Sequence, residues 1–314
     1  MSEEKAPYVT LDVFSSKRFK GNPVAIVKVT DSKLSQEQKQ KIAKEFNFSE
    51  TVFFHPANGD EPPRLYIFTP VNEMDFAGHP VIGAGHFLFR QLLGNDPSHP
   101  KSLTITTNAG PVPIIYDPEN EVVSAEVPHN IHQHQQGATL AHILPVQASL
   151  KTVSDLHGVP ETSPIVSVVK GVTYALVDLT ERADLFANIV PGGSPALDLD
   201  EGWKPSFTGV MYYRNGGSRV EGDTVIWDLR VRMIAIDLED PACGSGGSSL
   251  GVYLALLNGQ QGRSHRFYID QGIEMDRESH LIVDVLLDED RKRVSTIKLA
   301  GQAAFVAEGS IFLN

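Results

Sequence analysis

Cysteine is nearly missing from this chain: Cys243 is the single one among 314 residues. That excludes an internal disulfide framework, leaves no Cys/His cluster at zinc-ligand spacing, and suits a reducing compartment. Positive charge is the next shortage. Lys and Arg number 27 against 39 Asp and Glu, a formal net charge of −12, and the cations nowhere gather into a basic stripe. Such a chain repels phosphate backbones, so no nucleic-acid partner is expected. Long apolar runs are missing as well. The most apolar stretches, such as 252–257, fall far short of the roughly 20 residues a membrane span needs, and the start, Met1-Ser2-Glu3-Glu4-Lys5-Ala6-Pro7-Tyr8, has no apolar signal core. A cytoplasmic protein without a membrane span is expected. What is present is ordinary for a globular protein, 41% hydrophobic and 21% charged, in a chain long enough for two cores.

The pattern along the chain predicts two halves with a common grammar. In the first, residues 8–14 and 24–29 read as strands around the turn Gly21-Asn22-Pro23, residues 35–46 as a helix, and 51–54 and 64–68 as short strands. A Gly/Ala-rich apolar helix over 81–93 has small residues on several faces, which predicts burial all round inside a wrapped sheet. Strands at 103–107, 112–116 and 124–127 follow. The His- and Gln-rich segment 128–144 has little apolar periodicity and reads as an interdomain linker with solvated histidines. The second half sets strands at 165–169, 174–179, 209–213 and 225–233 before Asp240-Pro241-Ala242-Cys243-Gly244-Ser245-Gly246-Gly247 and an apolar helix at 248–257. Strands at 266–270, 280–287, 296–299 and 304–307 close the chain. Each half thus places a small-residue turn before a buried helix, as a duplicated fold would, with both turns at one cleft. The expected domains are 1–128 and 129–314, with the last strand, near 302–314, returning to the first.

Three constellations carry chemistry. Ala77-Gly78-His79-Pro80 opens a helix with Pro in the first turn, where free N–H groups and the positive end of the helix dipole suit a carboxylate or phosphate. His79 adds a donor or proton carrier; the plain alternative is a tight turn with His79 as cap. The stretch 240–249 packs glycines and serines around one cysteine between strand and helix, and a loop so poor in side chains lets backbone N–H groups approach a ligand closely. A flexible turn with capping serines is its structural alternative. The spacing matches neither a P-loop nor a dinucleotide fingerprint, so no nucleotide cofactor is expected. Cys243 at a helix N-terminus is either a low-pKa thiol or a small buried residue. Finally, Glu50 sits among Phe48, Val52 and Phe53 at a loop-to-strand junction, where apolar surroundings raise a carboxylate's pKa toward neutrality; an edge-strand charge is the alternative.

Read together, these residues resemble the PhzF-like isomerases, which share the diaminopimelate epimerase fold. The marks are Asp12-Val13-Phe14 with Phe19-Lys20-Gly21-Asn22-Pro23-Val24-Ala25-Ile26-Val27; Phe48-Ser49-Glu50-Thr51-Val52-Phe53; Arg64 with Phe68-Thr69-Pro70; Asp75-Phe76-Ala77-Gly78-His79-Pro80; and Asp240-Pro241-Ala242-Cys243-Gly244-Ser245. The resemblance spans almost the whole chain. It implies an α+β fold of two pseudo-symmetric domains, each a curved mixed sheet wrapped around a central helix, assembled as a homodimer without metal or organic cofactor. It also implies roles: Glu50 as the catalytic carboxylate that moves a proton on a small carboxylated, cyclic substrate in the interdomain cleft, His79 and Asp240 as contacts to the substrate's polar groups, and Gly78, Gly244 and Ser245 as donors near its carboxylate. Two departures stand out. Cys243 occupies a position commonly Thr in the family, and Asp276-Arg277-Glu278-Ser279 replaces a Gly-Arg-Pro-Ser run after Gln271-Gly272. Two alternatives remain, an amino-acid-like epimerase using Glu50 with Cys243 and a non-catalytic metabolite-binding protein; retention of Glu50, His79, Asp240 and Ser245 together speaks against the second.

Overall fold

Apolar residues at alternate positions of Leu11 and Val13, followed by the fully buried run Val24 to Val27, specify neighbouring strands with one face and then both faces covered. In the computed structural model, which describes residues 4–29, 34–93 and 101–313, these form β1 (Lys5–Val13) and β2 (Asn22–Lys28), paired antiparallel. Ser35 accepts the Gln38 N–H and Gln38 returns to Ser35 N, a capping box that starts α1 (Gln36–Phe46). Next come β3 (Glu50–His55), β4 (Arg64–Phe68), α2 (Gly78–Leu93), β5 (Ser102–Thr107), β6 (Gly110–Asp117) and β7 (Val122–Glu126). β3 runs parallel to β2 with Glu50 opposite Val24, and antiparallel to β4. β5, β6 and β7 form an antiparallel meander that joins β4 through a parallel pairing of Arg64 with Thr106.

Helix α2 packs against β1, β2, β3, β6 and β7, and every residue from Val81 to Phe89 is buried. Burying each large apolar side chain contributes about 1.5–3 kcal/mol over leaving it in water, which is why this helix, apolar through its buried turns, packs against its sheet. It begins three residues before the expected start, at Gly78, so His79 and Pro80 lie in its first turn.

The second compact unit, Pro128–Lys298, has the same logic. Its principal elements are β8 (Ile165–Val169), β9 (Val172–Asp178), β10 (Phe207–Glu221), β11 (Thr224–Ala235), α3 (Gly244–Leu257), β12 (Ser264–Gln271) and β13 (Ser279–Leu287). Pairings β9 to β10 and β11 to β12 are parallel; β8 to β9, β10 to β11 and β12 to β13 are antiparallel. α3 packs on β8, β9, β12 and β13. β14 (Val294–Gly301) then leads back to β15 (Ala303–Phe312), which pairs with β1 inside the first unit, Met1–Val127 with Leu299–Asn314.

Two expectations need correction. Residues 128–144 are no linker: they belong to the second unit, where Ala138 and Ile143 join its apolar core. Nor are the histidines there simply solvated. His134 is buried, His132 stacks on Trp203 with centroids 4.6 Å apart, and His142 Nδ1 accepts the Thr139 N–H. Interleaved polar residues masked this, because the apolar contribution comes one residue at a time rather than with a period.

The second correction concerns the glycines after Cys243, which are helical, α3 starting four residues before the expected position. A Cβ on Gly246 would lie 2.5 Å from Met211 Sδ, and one on Gly247 would lie 3.2 Å from Ile269 Cδ1. Close packing of helix on sheet, rather than access for a ligand, is what requires glycine there.

Candidate functional site

Glu50 opens β3, and its carboxylate is held in a largely buried place, 16% exposed. Behind it, Ser49 Oγ donates to Asn22 Oδ1 at 3.1 Å, tying the Glu50 turn to the buried start of β2. His79, in the first turn of α2, brings Nδ1 to 3.4 Å from Glu50 Oε2, and that oxygen has no hydrogen-bond partner among the described residues. Burial pushes the Glu50 carboxyl up to about 7. A carboxylate so poised is present in both protonation states near neutral pH, the condition for taking a proton and giving it back. Gly78, whose N–H opens α2, immediately precedes His79.

The second unit gathers its own set. Asp240 Oδ1 accepts the Ala242 N–H at 2.9 Å, and Gln271, fully buried at the end of β12, bridges the loop: its Nε2 donates to Asp240 O at 2.7 Å and its Oε1 accepts the Cys243 N–H at 3.1 Å. Gly272 follows with φ +74°, and a Cβ there would meet Arg277 O at 2.5 Å and Pro241 O at 2.6 Å. Asp276, standing where the resembled family has Gly, adopts φ 57°, a left-handed conformation that Asp tolerates better than most residues, so the turn survives that replacement.

Cys243 is the N-cap of α3, its Sγ accepting the Gly246 N–H at 3.3 Å. Burial, reinforced by the Asp240 charge, pushes the thiol up to about 12. The low-pKa thiol that a helix N-terminus favours is therefore not realised, and thiolate base chemistry at neutral pH has no support. The N–H groups of Gly244 and Ser245 have no partner among the described residues, leaving two backbone donors at the positive end of α3.

Tyr174 is the residue that sequence reasoning passed over. Its buried hydroxyl stands 2.7 Å from Ser245 Oγ and 3.3 Å from Cys243 Sγ. Each of the three groups carries one proton. With the thiol donating to the phenol oxygen and the phenol to Ser245 Oγ, the serine proton is left to donate outward, beside the two free N–H groups. Nothing in the strand sequence around Tyr174 marks it; its role comes from a pairing 71 positions away. Tyr174→Phe removes only this hydroxyl and is expected to weaken binding of a carboxylate ligand about tenfold, the order of one charge-assisted hydrogen bond, with little change in turnover of bound substrate. Cys243→Thr, which keeps both an acceptor and a donor, is expected to stay within about threefold of wild type in both. Titration calorimetry of the two variants separates them; equal affinity in Tyr174→Phe and wild type would remove the phenol from the anion site.

His132, His134 and Asp200 also lie close, with ligating atoms within 4.8 Å of one another. Both ring nitrogens of His134 are already engaged, Nδ1 accepting the Asp200 N–H at 3.0 Å and Nε2 at 3.0 Å from Ser167 Oγ. The trio is built as a hydrogen-bonded support.

A family model described as PhzC-PhzF, phenazine biosynthesis-like protein, matches residues 11–309. The chain belongs to that family. Among curated PhzF-type relatives, the trans-2,3-dihydro-3-hydroxyanthranilate isomerase of Pseudomonas aeruginosa is 30% identical, the match covering 98% of this chain and 99% of that one. Antisense-enhancing sequence 1 of Schizosaccharomyces pombe is also 30% identical, over 96% and 97% of the two chains. Of solved structures, a PhzF family protein of Bacillus anthracis superposes with TM-score 0.71 at 20% identity, covering 98% and 99%. A hydroxyproline epimerase of Agrobacterium vitis reaches 0.55 at 14% identity, covering 99% and 92%. The α+β, epimerase-like fold is thus shared well beyond detectable sequence similarity, and the chain is an isomerase of the PhzF type. Among the described residues no helix is long and apolar enough to cross a membrane.

Proposed function

We propose that this PhzF-family protein shifts a proton between two carbons of a small, cyclic, carboxylated substrate, with Glu50 as the group that takes and returns it. The carrying observation is the Glu50 carboxyl, buried beside His79, with one oxygen lacking a hydrogen-bond partner and its pKa near 7. The Gly244 and Ser245 N–H groups and the Ser245 hydroxyl hold the substrate's carboxylate, with Gly78 as a further backbone donor. His79 and Asp240 address its amino or hydroxyl groups. Removing a proton from one ring carbon, shifting the ring's double bonds and returning the proton to another carbon changes neither oxidation level nor composition. Such a reaction calls for a base that becomes an acid and for no co-reactant. The relative from Pseudomonas aeruginosa is named for trans-2,3-dihydro-3-hydroxyanthranilate, whose ring carries a carboxylate, an amine and a hydroxyl, and this compound is the first substrate to test. The proposal includes a cytoplasmic homodimer, which cell fractionation and sedimentation equilibrium check.

The ionised form of Glu50 must abstract the proton, so its rise to about 7 has a definite consequence for rate. The expected kcat/KM is constant at high pH and falls tenfold per unit as pH drops below about 7. In heavy water the product should carry deuterium at its reprotonated carbon. A rate independent of pH from 5 to about 8, or a falling limb set near the ordinary carboxylate range, would exclude Glu50 as the base. Absence of turnover on this compound together with a retained Glu50 titration near 7 would instead direct the search to other cyclic carboxylates.

A further inference from the structure

A cavity of about 330 Å³ lies in the first unit toward the C-terminal end of α2, lined by His86, Phe89, Arg90, Tyr116, Glu121 and Phe305 among others. That size is at the small end of ordinary ligand pockets. His79 is seven to eleven residues earlier on the same helix, about 10–16 Å away along the axis.

The groups facing this cavity are chemically unspent. His86 is only 7% exposed, and its Nε2 lies 2.9 Å from the Gly301 carbonyl. A carbonyl oxygen only accepts, so Nε2 carries the proton, and this assigns Nδ1 as an acceptor. No group among the described residues donates to it. Burial holds the ring neutral, lowering its pKa. Arg90, one turn after His86 and therefore on the same helix face, rests its guanidinium 4.1 Å from the Phe305 ring centroid, and no carboxylate pairs with it among the described residues. Glu121 is likewise without a cation. Phe89 stacks on Tyr116 with centroids 5.4 Å apart, and these rings and Phe305 form apolar walls. A cation, an anion, a buried acceptor and aromatic surface thus converge without satisfying one another. A ligand carrying only a carboxylate would meet Arg90 but be repelled by Glu121, and a simple amine would meet the reverse.

We propose that this cavity is a second binding site, for a small zwitterion bearing an aromatic ring, namely an aromatic α-amino acid. Its carboxylate pairs with Arg90, its ammonium with Glu121 and His86 Nδ1, and its ring lies against Phe89, Tyr116 and Phe305. This site does not depend on the Glu50 reading and lies outside the residues assigned to it.

The test is titration of the whole protein with L-phenylalanine and L-tryptophan by calorimetry, with 3-phenylpropanoate and 2-phenylethylamine as ligands lacking one charge each. At least one amino acid is expected to bind with Kd on the order of 1 mM or tighter, about what ten to fifteen heavy atoms can achieve, and both single-charge ligands about tenfold more weakly. Arg90→Gln and Glu121→Gln, both at exposed positions that should leave the fold intact, are each expected to weaken binding about tenfold or more. Glu50→Gln is expected to leave it unchanged. No binding by either amino acid, equal binding by the single-charge ligands, or full affinity in Arg90→Gln would overturn the proposal. Loss of binding in Glu50→Gln would overturn it too, because the amino acid would then occupy the residues proposed for the reaction.

Discussion

Glu50→Gln is expected to lower turnover by about 10²- to 10⁴-fold, the usual contribution of general acid/base catalysis, while substrate affinity changes little. Gln has the size and shape of Glu but cannot accept and return a proton, so the substitution separates chemistry from binding. The same change should stabilise the fold at high pH. The folded-state pKa of Glu50 is raised to about 7 from an ordinary value of 4.5. The protonated carboxyl is therefore favoured by folding, and its stabilising contribution is complete below about 4.5 and lost as pH rises through 7. Wild type should become less stable across that window, and Glu50→Gln, which has nothing to ionise, should not. The difference is expected to reach a few kcal/mol at pH 8 and to vanish near pH 4, read as urea midpoints at the two pH values. A Glu50→Gln protein within about threefold of wild-type turnover would exclude the carboxylate from the chemistry, whatever its effect on stability.

Glu239→Leu is expected to destabilise the second unit by about 3–5 kcal/mol. Glu239 and Arg232 form a two-pronged ion pair at 2.6 and 2.7 Å, and each side chain is only 5% exposed. Arg232 Nη1 also donates to the carbonyls of Phe186 and Ala187. Removing Glu239 leaves a buried guanidinium without its counter-charge, which costs far more than the pair contributes as a whole. The double variant Arg232→Met with Glu239→Leu should therefore recover most of the loss, since apolar replacements of both partners often match or exceed a buried pair in stability. Denaturant unfolding of wild type and the two variants checks this. A single variant that loses less than about 1 kcal/mol would mean that water reaches the pair. Because Glu239 immediately precedes Asp240, the ion pair also fixes the strand that delivers the Asp240 to Ser245 loop.

Much of the candidate site was legible because its signals are local. Glu50 among aromatic and β-branched neighbours, Pro80 in a helix's first turn, and a capping position at Cys243 each show themselves within a few residues. The same is true of the buried helices, whose glycine and apolar content predicts enclosure. The spacing predicts helix starts three and four residues later than Gly78 and Gly244, since glycine signals a turn even where, as at Gly246 and Gly247, close packing of helix on sheet is what requires it. The histidines of 128–144 read as solvated for a related reason: polar side chains packed by stacking and hydrogen bonding carry no periodic apolar signature.

By itself the sequence determined the family, the two buried helices and the carboxylate suited to proton transfer, because motif spacing and apolar surroundings are properties of short stretches of chain. Only the tertiary structure decided the ionisation of these groups and their neighbours. The thiol of Cys243 was open to either direction until burial and the Asp240 charge outweighed the helix end. Tyr174 joined Ser245, Gln271 locked the loop, and β15 returned to pair with β1, all through contacts between residues far apart in sequence. Desolvation and long-range hydrogen bonding depend on which segments the fold brings together, and no local pattern encodes that.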